Sequence, residues 1–323
     1  MLGLMKSNKI TPAEAVALVK AEANNSLIAL NLFSKESFKT RGGRLGSGMG
    51  SLLEAVWIYF TNAALRDVGG KAADCEIGWL ADHEPNDFAC VLRDHPWTPA
   101  TREGELFRIE AKSMNLSVDE SKAHYTELRP SIGKNDQILI LTWKWFEVDE
   151  WRFCPQVTDH LICPATPVAA LRDALHVARG GSFVTSDSCS DGCTEKPCPH
   201  VGEPLNAAGK RERKGGPEST RPSTKVAFAN NFGGLVRMLK TDNAGARTVF
   251  RQQRAANDVA HEYISFIHRN FPDEEVNQYT IAEWREIGTQ AGLTVKGKNA
   301  ASIAEALRTT TPEYQKLLRD VVI

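Results

Sequence analysis

A short, mostly apolar run at residues 104–113 ends in Glu110, Ala111 and Lys112. On a strand, side chains two residues apart point to the same face, so this carboxylate and ammonium would stand side by side. At a strand end, such a pair can hold a divalent metal ion and a water molecule against a phosphodiester. Glu-x-Lys also occurs at Glu120/Lys122 and at Glu212/Lys214, in polar sequence suited to helix or loop. Only Glu110 and Lys112 follow a strand-like run, so only they can be presented from a buried sheet. Without that setting, the triplet is more simply a surface ion pair of little energetic weight.

The surrounding sequence supplies the elements that would position the pair. Pro85, Asn86 and Asp87 form a turn signal that leads into an apolar strand at 88–92. Residues 75–80 make another short strand. Residues 115–128 read as a helix, with Ser117 as N-cap and Asp119 and Glu120 in its first turn. The almost unbroken apolar run at 137–143 suits a strand covered on both faces. Ahead of all these, 50–67 reads as an amphipathic helix, with Leu52, Leu53, Val56, Trp57 and Phe60 at helical spacing. The expected order is helix, three strands, helix, strand.

That order, with an acid opening one strand and Glu-x-Lys closing the next, resembles the PD-(D/E)xK nuclease superfamily over residues 45–150. Type II restriction endonucleases are its most similar branch. The resemblance implies an α/β fold with a restriction-endonuclease-like core, a mixed central sheet flanked by helices. It assigns Asp87 as the first acid, Glu110 as the second and Lys112 as the lysine, with Glu54 as a further carboxylate from the preceding helix. The proline is displaced by one residue, so Asp82, Glu84 and Glu76 compete with Asp87, and Glu54 reads equally well as a solvated helix residue.

The residue types suit the implied chemistry. Mg²⁺ prefers carboxylate, carbonyl and water oxygens, which Asp87, Glu110, the Ala111 carbonyl and the scissile phosphate can supply. Lys112 would orient the attacking water and favour developing negative charge. The resemblance further implies cleavage of double-stranded DNA to 5′-phosphate and 3′-hydroxyl ends, by a homodimer whose two-fold axis matches a palindromic site. Two other functions remain open: a repair or structure-specific nuclease of the same fold, and a zinc-stabilised DNA-binding regulator without catalysis.

The cysteines carry a second signal. Cys75, Cys90, Cys154 and Cys163 lie in apolar or mixed sequence and read as buried thiols. Cys189, Cys193, Cys198 and His200 cluster in a stretch rich in Ser, Gly and Pro with almost nothing apolar to fold around. Three thiolates and an imidazole make a closed tetrahedral set for structural Zn²⁺. The competing expectation is a loop of free thiols.

Composition bounds the rest. The chain has 323 residues and a formal net charge of −1, which argues against a non-specific coater of nucleic acid. Contacts with DNA would need local basic patches, such as Lys39, Arg41 and Arg44, or Lys210, Arg211, Arg213 and Lys214. The glycine-rich stretch at 41–51 lacks a Gly-Lys-Ser/Thr ending and is no P-loop. Neither a secretory signal nor a membrane span is legible, so a soluble, cytoplasmic protein is expected.

Three regions follow: 1–185 as the catalytic region, 186–222 as the Cys/His zinc loop with a basic segment, and 223–323 as a mainly helical C-terminal region for DNA recognition, dimerisation or both. In the first, Thr11, Pro12 and Glu14 predict a capped helix start, and 167–179 another helix. In the last, 249–270 reads as one long helix. Helices at 280–288 and 300–307 around a turn at 291–293 suggest a helix-turn-helix, with Lys296, Lys298 and Asn299 at the start of its second helix, where DNA contacts are expected.

Overall fold

The computed structural model describes residues 10–41, 48–81, 86–117, 123–185, 198, 200–209, 232–239, 244–271, 281–298, 300–307 and 310. The chain divides into two compact units, Met1–Val118 with Ser131–Ala165, and Asp119–Pro130 with Thr166–Ile323.

The first unit is a layer of two helices on a five-stranded sheet. Helix α1 (Pro12–Ser37) starts at the expected capping box: the Thr11 side chain accepts from the Glu14 N–H, and the Glu14 carboxylate accepts from the Thr11 N–H. Helix α2 (Gly48–Val68) buries Met49, Leu53, Trp57, Ile58 and Leu65, while Leu52, expected on the same stripe, is left 40% exposed. The strands are β1 (Cys75–Trp79), β2 (Phe88–Leu92), β3 (Glu105–Asn115), β4 (Gln137–Asp149) and β5 (Arg152–Pro164). They lie side by side in chain order. Every neighbouring pair is antiparallel except β3 and β4, which run parallel from Ile109↔Gln137 to Asn115↔Trp143. Ile109, Ala111, Leu139 and Leu141 join residues of both helices in one core.

Both edges of this sheet are closed by an asparagine from the helical layer. Asn31 of α1 donates to the Val157 carbonyl at 2.8 Å and accepts from the Val157 N–H at 2.9 Å. Asn62 of α2 does the same for Ile77 on β1, at 2.9 and 2.7 Å. A side-chain amide thus takes the place of a neighbouring strand at each edge, which removes an unpaired backbone donor and acceptor from each.

At the β2–β3 connection, Gly104 has φ +81°, and a Cβ there would strike the Pro96 carbonyl. At the start of β3, the Asp136 carboxylate accepts from the Arg108 N–H, the Gly133 N–H and the Arg102 guanidinium, at 2.9, 2.6 and 2.7 Å. Glu105 pairs with Arg102 and Arg108 at 2.9 and 2.8 Å. This ionic knot fixes the strand end away from Lys112.

The helix expected at 115–128 does not form in the described part. Strand β3 continues to Asn115, whose side-chain oxygen accepts the Ser117 N–H at 2.9 Å, so Ser117 sits in a turn and caps no helix. Residues 118–122, with Asp119 and Glu120, lie outside the described residues.

In the second unit, the backbone at 123–125 is extended and bonded to Gly233 and Leu235 at 2.7 and 2.9 Å. Pairing with a distant segment has overridden the local helical pattern. This unit otherwise holds α3 (Ala165–Ala178), the two-stranded sheet of β6 (Ser182–Phe183) and β7 (Pro204–Leu205), and helices α4 (Ala244–Ala256), α5 (Asp258–Asn270), α6 (Ile281–Gln290) and α7 (Ala300–Leu307). The guanidinium of Arg172 lies 4.5 Å from the Phe232 ring centroid and donates to the Glu127 carbonyl at 2.7 Å.

The helix expected at 249–270 is two helices. Asn257 adopts extended φ and ψ of −141° and 112° and caps α5 by accepting the Ala260 N–H, so the chain turns where periodicity alone sees continuity. Helices α6 and α7 occur where expected, but the connection from Ala291 to Asn299 is longer than the tight turn of a helix-turn-helix. Among the described residues, no helix is long and apolar enough to cross a membrane.

Candidate active site at the open edge of strand β3

The site begins where β2 stops covering β3. Antiparallel pairing ends at Phe88↔Ile109, with the Asp87 N–H donating to the Ile109 carbonyl at 3.2 Å. Just before it, Asn86 takes the left-handed backbone, φ 71°, and carries the chain off the sheet. Beyond this point the β2 side of β3 has no neighbouring strand among the described residues, although β3 remains paired with β4 on its other side. The peptide groups at Ala111 and Ser113 must therefore find side chains as partners.

Those partners are Asp87, Lys112 and Glu54, all candidates from the sequence. Asp87 Oδ2 accepts the Ala111 N–H at 2.9 Å. Lys112 Nζ donates to the Ala111 carbonyl at 2.8 Å. The same ammonium lies 2.6 Å from Glu110 Oε1 and 3.4 Å from Asp87 Oδ2. Glu54 enters from α2 and accepts the Ser113 N–H, and it shares the single Ser113 hydroxyl proton with the Gly50 carbonyl. Helix α2 can come this close because Gly50 has no side chain: a Cβ would lie 3.1 Å from Ser113 Cβ, and the Ser113 hydroxyl donates to the Gly50 carbonyl at 3.1 Å. The side chains of Glu110, Lys112 and Asp87 are 9, 18 and 28% exposed, so the site opens toward Asp87.

Strand β3 does not close on Glu-x-Lys, as expected, but continues to Asn115. What ends there is β2, and the free edge it leaves makes the pair accessible.

Electrostatics follow from this packing. Burial holds the Glu54 carboxyl up at about 7; the ammonium of Lys112 and the Ser113 hydrogen bonds oppose the rise, while the Asp87 charge adds to it. Burial alone would lower Lys112, but the charges of Glu110, then Asp87, together with the Glu110 hydrogen bond and the Glu54 charge, keep it well above the ordinary lysine range. The ammonium stays protonated at any physiological pH.

Two ionic clusters thus share β3, and they differ in one respect. In the knot at its start, the carboxylates of Glu105 and Asp136 each accept several donors. In the Lys112 cluster, Glu110 Oε2 is buried with no hydrogen-bond partner among the described residues. An orphaned carboxylate oxygen is costly and marks a position that a cation would satisfy. Carboxylate and carbonyl oxygens suit a hard divalent ion. Among the described residues, no group of three or more His, Cys, Asp and Glu side chains is gathered closely enough to hold a metal by itself; an ammonium does the gathering here.

Of the rivals for the first acid, Asp82 and Glu84 lie outside the described residues. Glu76 faces Arg93 at 2.7 Å on the edge strand β1. Of the four Cys/His candidates, Cys189 and Cys193 lie outside the described residues. Cys198 packs with Val184 and Leu205, and its Sγ is 3.7 Å from His200 Nδ1. Cys75, Cys90, Cys154 and Cys163 are buried, as expected. Of the basic patches, Lys39 pairs with Glu36 at 3.3 Å and Arg41 is exposed. Arg44, Lys210, Arg211, Arg213, Lys214 and Asn299 lie outside the described residues.

Sequence reasoning missed Ser113 and Gly50. The small residues at Gly48 and Gly50, opening an otherwise bulky helix, were the available signal for a close helix–strand approach. Comparison with protein-family models, curated proteins and solved structures finds no match for this chain.

Proposed function

We propose that this chain is a restriction-type endonuclease of the PD-(D/E)xK kind, hydrolysing phosphodiester bonds of duplex DNA with Mg²⁺. The observation that carries the reading is the gathering of Asp87, Glu110 and the Ala111 carbonyl around the Lys112 ammonium at an open strand edge, with Glu110 Oε2 buried and unpartnered among the described residues. The succession of α2, β1, β2, β3 and β4 supports it at the level of the core, although the linking helix expected before β4 is missing from the described part.

Asp87, Glu110 and the Ala111 carbonyl would hold the Mg²⁺, which when bound supplies charge to the phosphate oxygens and lowers the pKa of a water. Lys112, permanently protonated, neutralises charge developing on the phosphate and orients a water through its N–H groups. Glu54, with a carboxyl poised at about 7, can hold or release a proton at neutral pH. Cys198 and His200 would contribute half of a structural Zn²⁺ site, and a homodimer would present one catalytic edge to each DNA strand.

The test is digestion of a long unmethylated duplex in Mg²⁺ or EDTA, by wild type and by Lys112→Ala. Discrete fragments that need Mg²⁺ and vanish in the variant are expected. Fragments that persist in Lys112→Ala would refute this active site. DNA binding without cleavage would favour the regulator, for which the Lys112 cluster is only the cap of a strand edge. Nicking confined to branched DNA would favour a structure-specific nuclease.

A further inference from the structure

The three oxygen sources assigned to Mg²⁺ are the three that Lys112 now holds. Its ammonium lies 2.6 Å from Glu110 Oε1, 2.8 Å from the Ala111 carbonyl and 3.4 Å from Asp87 Oδ2. We propose that Lys112 is the resident cation of this site, and that a divalent metal and the lysine ammonium compete for the Asp87, Glu110 and Ala111 oxygens. This rests on the metal-site reading given above.

Three observations support the competition. First, carboxylates outnumber the resident cation, so a second cation has charge to neutralise. Glu110 and Asp87, joined by Glu54 when it is ionised, act on one ammonium, which leaves negative charge for a divalent ion to offset. Second, the side chain can move: Lys carries its charge on a flexible four-carbon stem, and Lys112 lies beside the more exposed Asp87, on the open side of the site. Third, the ammonium leaves Glu110 Oε2 unsatisfied. Lysine holds the site together but incompletely.

The consequence is an exchange. When the metal takes the Glu110 and Ala111 oxygens, the ammonium is released from them while remaining attracted to the cluster. It then points where a substrate phosphate would approach. The same residue is thus a guard of the metal-free site and a positioning residue for the reaction, and the two roles carry opposite signs for metal affinity.

The experiment is calorimetric titration of the full chain with Mn²⁺, without DNA, for wild type, Lys112→Met and Glu110→Gln, with folding checked by circular dichroism. Wild type should bind Mn²⁺, and Glu110→Gln should lose it. Lys112→Met should bind about tenfold more tightly, within the range usual for coupled binding. Binding by Lys112→Met that is equal to or weaker than wild type overturns the competition but leaves the metal site standing. No binding by either protein overturns both. Should Lys112→Met not fold, the wild type provides the answer through acylation of Lys112 by an amine reagent, read by mass spectrometry. Labelling should rise several-fold at saturating Mn²⁺, and unchanged labelling despite measured binding refutes the exchange.

Discussion

Replacing Glu54 by Gln tests the electrostatics of the site without metal or substrate. Glutamine keeps the size of the side chain and an oxygen for the Ser113 hydrogen bonds, but it cannot ionise. In the wild type, folding raises the Glu54 carboxyl from 4.5 to about 7, chiefly by burial. Between those values the folded chain holds a proton that the unfolded chain has released. Wild-type stability should therefore fall as pH rises through this window and level off above about 7. A shift of about 2.5 units at about 1.4 kcal/mol per unit sets a ceiling of about 3.5 kcal/mol. Partial solvent access brings the expected range to about 1–3 kcal/mol. Urea denaturation in EDTA, followed by tryptophan fluorescence, measures it. At about pH 4.5 the variant should equal the wild type or fall slightly below it, and by about pH 8 it should exceed it by that range. The reasoning is refuted by a difference that stays constant to within about 0.5 kcal/mol across the window, or that slopes the other way.

Three further outcomes follow from the fold. Asn62→Leu should cost about 2–4 kcal/mol, because it strands the N–H and carbonyl of Ile77 at a sheet edge; an unchanged denaturation midpoint would show that water satisfies that edge. Gly50→Val should cost about 1–3 kcal/mol by driving α2 off Ser113 and should abolish the pH-dependent gain of Glu54→Gln, as read by the same denaturation series. Asn257→Ala should destabilise the chain by about 1 kcal/mol through loss of the α5 cap. A rise in thermal midpoint would instead mean that α4 and α5 prefer to fuse.

Much of the site was legible because it depends on local spacing. Alternation on a strand puts Glu110 and Lys112 on one face wherever the strand lies, and the apolar runs at 88–92 and 137–143 announce strands by composition. Asp87 could be chosen but not secured, since nothing local distinguishes it from Asp82 or Glu84. Its position beside Lys112 comes from the Asn86 turn and from the Ala111 N–H it accepts across the sheet.

The failures share a cause. The helical pattern at 115–128 and the continuous stripe at 249–270 were read from neighbours in sequence. The outcome was decided by Gly233 and Leu235 in the first case and by the extended backbone at Asn257 in the second. What the sequence by itself determined is an α/β chain with an acid, a Glu-x-Lys pair and the strands and helix to present them. Only the tertiary structure decided that β2 ends two residues short of Ala111, that α2 approaches closely enough at Gly50 for Glu54 to reach Ser113, and that Lys112 gathers the carboxylates. Spacing along one strand is a local property, whereas an open edge is defined by where a different strand stops.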